Sequence, residues 1–124
     1  MATFLSDDIL DAAATYVSTY TETLYITNAL ATTFQEASTT YKMGTKSSPA
    51  FTGPADGDVS GRKITVDAIT DGVVDATGNA SHYALTDDSA TKLLAAGPLN
   101  SVESVTTGNV FTLTALDIEF PDPA

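Results

Sequence analysis

Residues 110–120 read VFTLTALDIEF, and their periodicity decides what kind of fold the chain adopts. Phe111, Leu113 and Ala115 recur at every second position, whereas Leu116, Ile118 and Phe120 recur in the other phase. Successive side chains of a strand point to opposite faces, so this alternation predicts a half-buried β-strand. A one-residue change of phase predicts a bulge or bend near Ala115. Pro121 and Pro123 follow and end the pairing, because proline has no N–H to give to a ladder.

The same period runs backwards through the chain. Ile64, Val66 and Ala68 share one face, with Lys63, Thr65 and Asp67 on the other. Residues 72–76 and 79–86 flank a Thr77-Gly78 turn, residues 87–89 turn the chain into 91–95, and Gly97-Pro98 interrupts it. Residues 101–106 then join 110–120 across Thr107-Gly108-Asn109, so 62–120 is expected to be an antiparallel meander. Residues 42–61 are dominated by Gly, Ser, Pro, Asp and Lys and are expected to be an irregular loop.

The N-terminal part has a different period. Ser6 is placed to cap a helix, Asp7 and Asp8 put negative charge in its first turn, and Leu5 is spaced to staple onto Leu10. Ile9, Ala13, Tyr16, Val17 and Tyr20 supply an apolar face, which predicts a helix over 6–20 that fades at 19–21 into a short strand over 23–27. Residues 32–41 suit one helical turn with Thr32 or Thr33 as cap and Glu36 behind it. The expectation is a single α+β domain spanning 1–124, mainly β: an antiparallel β-sandwich or small barrel with one N-terminal helix.

Composition narrows the function classes. The 124 residues suffice for one core, and 43% hydrophobic with 17% charged residues fits neither a disordered tail nor a membrane span. With no cysteine there is neither disulfide nor thiolate chemistry. Sixteen acidic against five basic residues give a net charge of -11, which repels phosphate, so neither nucleic acid nor a membrane is an expected partner. The N-terminal residues lack a basic start and a long apolar run, so the chain is expected to remain in the compartment where it is made.

Catalytic groups are scarce. His82 is the only histidine, and it has no glycine-elbow serine or cysteine beside it in sequence. Asp7-Asp8 and Asp87-Asp88 are adjacent pairs, explained by a helix N-terminus and a turn. Asn79-Ala80-Ser81 fits a glycosylation sequon without an export signal to give it meaning. Residues 56–67, DGDVSGRKITVD, place Asp56, Asp58, Ser60 and Asp67 on part of a calcium-loop template. That template wants a helix on each side, whereas here Gly53-Pro54 precedes it and an alternating strand follows, so a polar turn is the better expectation. No enzymatic activity, cofactor or metal is expected.

Several stretches carry a resemblance: SDDILDAA at the start, FTGPADGDVSGRKI in the middle, DATGNASHYALTDDSATKLLAA after it, and DIEFPDP at the end. Together they resemble a family of small virion structural proteins of tailed bacteriophages, over nearly the whole chain. Members of that family often have a cysteine-containing strand where this chain has LYITNAL, so no cysteine function is carried over. The resemblance implies a gene among the head genes and a capsid decoration, or cement, protein made in the host cytoplasm and bound to the outer face of the head. Its implied partner is the major capsid protein, with self-association on the lattice as a trimer or other homo-oligomer. A tail- or fibre-associated component that recognises the host surface is the alternative. Phe4, Leu5, Ile9, Phe51, Arg62 and Lys63 are the expected interface residues.

Overall fold

Strands make up 53% of the described residues, and the chain folds as one N-terminal helix beside a curled antiparallel sheet that forms a half-barrel. The computed structural model describes residues 5–58 and 60–121. Helix α1 (Asp7–Tyr20) is followed by β1 (Thr23–Thr27), a π-helical turn (Glu36–Thr40), β2 (Lys42–Ser47) and β3 (Phe51–Asp56). Then come β4 (Arg62–Val66), β5 (Ile69–Val74), β6 (Gly78–Asp87), β7 (Lys92–Val105), β8 (Val110–Leu113) and β9 (Leu116–Phe120). Six strands pair in the order β7-β6-β1-β2-β5-β8, and three in the order β3-β4-β9.

The phase change in 110–120 is the hinge of this arrangement. Phe111 and Leu113 are buried in one phase, Leu116 and Ile118 in the other, and Thr114-Ala115 between them belong to no strand. They mark a passage from one sheet to the other, not a bulge within a single strand, which corrects the expectation of one strand over 110–120. The chain does the same between β4 and β5, where Ile64 and Val66 are buried before Asp67-Ala68 and Ile69 after them. The two passages lie opposite each other: Val66 faces Leu116 and Ile69 faces Leu113, with no slip in register across the gap. One bent two-stranded ribbon therefore belongs to both sheets, and its corner lets the main core fill the space between them.

That core joins Leu24, Ile26, Tyr83 and Leu85 of the large sheet to Ile64, Val66, Leu116 and Ile118 of the small one, with Ala14 and Val17 of α1 packed in. A second cluster of Tyr25, Ala31, Ala37 and Ala84 lies on the other face of β1 and β6, which is why β1 is buried at all five positions. The segment carrying the π-helical turn forms part of it. The Glu36 Oε1 accepts from the Thr32 backbone N–H and hydroxyl, both at 2.8 Å, while the Thr33 Oγ1 accepts from the Glu36 N–H at 3.1 Å. This reciprocal capping is what the Thr32, Thr33 and Glu36 spacing predicts.

Three further expectations are corrected. Residues 42–61 are not a loop, because they contain β2 and β3. Gly44 is needed in β2: a Cβ there would come within 2.8 Å of the Val73 carbonyl oxygen and 3.0 Å of Ile26. Gly53 and Pro54 are tolerated in β3 because it is an edge strand whose pairing with β4 shifts register between Thr52 and Ala55. Gly97-Pro98 does not end a strand, since β7 runs through it against β6 with register shifts on either side. The strands are also no meander: β5 pairs with β2 and β8 instead of β6, and β7 and β8 diverge from their turn to join β6 and β5.

Candidate protein interface

The residues of the calcium-loop template are spread from the end of β3 through the β3–β4 turn to beyond β4, and the fold does not gather them. Gly57 N–H donates to the Gly61 carbonyl at 2.9 Å and closes the turn. Arg62 Nη1 donates to Asp56 Oδ1 at 2.6 Å, and Lys63 Nζ donates to Asp58 Oδ1 at 2.8 Å. Ser60 stays in the turn, while Asp67 lies past the far end of β4, about 16 Å along the strand, where it accepts from the Thr52 hydroxyl. The carboxylates that do approach Asp58 come from β9: one oxygen each of Asp58, Asp117 and Glu119 lie within 4.8 Å of one another, all three residues exposed. Lys63 Nζ also donates to Asp117 Oδ2 at 3.1 Å, and Asp58 N–H donates to Glu119 Oε1 at 3.1 Å. The chain's own ammonium group thus supplies positive charge to this trio. The hydrogen bond from Lys63 holds the Asp58 carboxyl below its ordinary range, and the bonds to Asp58 and Asp117 raise the Lys63 ammonium.

Asp117 and Glu119 escaped the sequence reading although a signal was present: alternation in LDIEF puts them on the face opposite Leu116 and Ile118, and β9 pairs with β4. His82 is half-buried in β6 across from Thr27 and Pro98, with Nδ1 2.7 Å from the Ser81 hydroxyl. Among the described residues no carboxylate hydrogen-bonds its ring, so the geometry assembles no charge-relay site.

The expected interface residues divide. Phe4 lies outside the described residues. Phe51 is half-buried and packs against the main core across from Val66. Arg62 and Lys63 are engaged within the chain, Arg62 Nε donating to Asp11 Oδ1 at 2.7 Å as well as Nη1 to Asp56. Leu5 and Ile9 stand outward, 38% and 56% exposed.

Those last two belong to a larger feature. Helix α1 buries Leu10, Ala14 and Val17 against the sheets, chiefly β4. Ile9, Ala12, Ala13, Tyr16 and Tyr20 are all exposed, and at about 100° per residue they share an arc of about 100° whose centre is turned about 120° from the buried one, with the exposed Leu5 just ahead of the helix. The Tyr16 and Tyr20 rings lie 4.4 Å apart between centroids, one turn from each other. An exposed apolar stripe of this length on a helix whose inner face is already packed is the clearest candidate interface of the molecule.

Charge around it is one-sided. Lys42 pairs with Asp75, Lys46 with Asp71, Arg62 with Asp11 and Asp56, and Lys63 with Asp58 and Asp117. Lys92 alone among the five cations has no ion pair among the described residues. What faces outward is therefore carboxylate in excess. Compared with family models, with curated proteins and with solved structures, the chain finds no match.

Proposed function

We propose that this protein is a structural virion protein of a tailed bacteriophage, a capsid decoration protein that binds the outer face of the head and stabilises it without catalysing a reaction. The observation that carries the reading is the outward stripe of α1: the core is complete without it, so these apolar side chains are free for a partner. The sequence resemblance supplies the setting, and the acidic exterior suits a protein crowded at high local concentration on a shell. The partner is the major capsid protein, and many weak attachments reinforce one another through avidity.

The deciding measurement is binding of the purified chain to assembled empty heads, with copy number per particle from quantitative gels. Saturation at a number commensurate with the capsid lattice is expected. No binding to heads, or a copy number matching a tail ring or fibre, overturns the reading and in the latter case favours the tail-associated alternative.

A further inference from the structure

The outward stripe of α1 does not stop at the helix end. Tyr20 also lines a shallow groove of about 420 Å³ with Thr19, Glu22, Asp87, Ser89 and Ala90. This groove is tied together by Glu22, whose Oε1 accepts from the Ser89 N–H at 2.6 Å and whose Oε2 accepts from the Ser89 hydroxyl at 3.0 Å. Asp87 Oδ1 accepts from the Ala90 N–H at 3.2 Å in the same turn. Near the other end of the stripe, the exposed Asp8, about 40° from its edge around the helix, makes no ion pair among the described residues. An apolar track therefore runs along α1 with carboxylates at both ends. Lys92, opposite Asp87 in the β6–β7 pairing, forms no ion pair with it.

We propose that the outer face of α1 and the groove at its C-terminal end form one docking track for a protein segment that combines apolar side chains with lysine or arginine. The proposal rests on the reading above only in taking that segment to belong to a protein of the same particle. A second copy of the chain is the poorer occupant on two counts. It brings a net charge of -11 against -11, with Asp7 and Asp8 on each helix and no basic residue on either. Two such helices alone also bury too little: a track about 18 Å long and 10 Å wide covers roughly 180 Å² per partner, against about 800 Å² in a stable complex. A cationic segment gains charge attraction that a second copy lacks, and a small footprint suits an attachment repeated over a lattice.

The test adds to the isotopically labelled full chain a helical peptide of leucine and lysine with its leucines on one face, and separately the same peptide with glutamate for lysine. The lysine peptide is expected to shift the amide signals of residues 7–20 and 87–90, to bind less tightly as salt rises, and to lose about tenfold or more in affinity to an Ile9→Ser, Tyr16→Ser double variant that melts like the parent. Shifts confined to other acidic surfaces, equal binding of the glutamate peptide, or a dimer in sedimentation that the double variant dissolves would each overturn the proposal. Head binding separates this idea from the wider one. If heads refuse the parent chain while the peptide still maps to α1, the decoration reading falls and the track stands. If heads bind the double variant as well as the parent and the peptide misses α1, the track falls and the decoration reading stands.

Discussion

Two apolar stripes run along the same helix, and they have opposite fates. Leu10, Ala14 and Val17 are at most 7% exposed, whereas Ile9, Tyr16 and Tyr20 are between 46% and 56% exposed. Nothing in residue type separates them, since the outer stripe is the larger and the more aromatic. The difference lies in what stands opposite: β4 and its neighbours face the inner stripe, and the small Ala14 lets the helix come close to them. Apolar periodicity thus reports that a helix has an adhesive face, and tertiary context decides whether the chain itself uses it.

The comparison is broken most severely from the inside. Val17→Asp puts a charge into the main core beside Ala14 and should cost about 3 kcal/mol or more, read as loss of the cooperative melting transition near its present temperature. A second interior contact tests how little slack the core has. Gly72 sits opposite Phe111, whose ring lies where a Cβ would go, so Gly72→Ala should destabilise by about 1–3 kcal/mol in denaturant titrations.

Smaller effects come from the surface. Hydrogen bonds from the backbone N–H and then the hydroxyl of Ser89 hold the Glu22 carboxyl below its ordinary value of 4.5. A depressed carboxyl stabilises the fold at pH above its unfolded value and loses that contribution as pH falls through the folded value. Glu22→Gln should therefore lower the melting temperature slightly at neutral pH and leave it level with the parent in acid, below the folded value. Least of all, Ile9→Ser with Tyr16→Ser should change stability by less than about 0.5 kcal/mol, because neither side chain supports the core. A large loss there would show that the outer stripe serves folding after all.

The legible parts of the fold were those where local pattern and tertiary placement agree. The helix begins after Ser6 and ends at Tyr20 with the Thr21 hydroxyl donating to the Val17 carbonyl at 2.6 Å, as capping and β-branched residues predict. Ser6 nonetheless makes no side-chain capping bond, so its position was readable and its interaction was not. Strand β1 could be placed from composition, but its burial on both faces could not, because that depends on the capped segment over 32–40.

Strands β2 and β3 were hidden by their own residues: Gly44 answers to a neighbour's carbonyl, and Gly53-Pro54 to an edge where donors are dispensable. At the β3–β4 turn, linear spacing suggested converging oxygens, whereas pleating and strand length carry Asp67 away and bring Asp117 and Glu119 in. The sequence offers Leu5 and Ile9 as interface candidates and both stand outward, while the groove beside Tyr20 joins residues from α1 and the β6–β7 turn that no sequence window contains.

The bent ribbon has a consequence for how the molecule is made. It pairs residues 62–73 with 110–120, partners roughly 40 to 60 positions apart, so loop closure delays this pairing relative to local contacts. A nascent chain still lacking β8 and β9 would leave β4 and β5 each short of a neighbour at the same time. Both sheets wait for the same late-emerging segment, and until it leaves the ribosome their exposed edges are open to wrong partners.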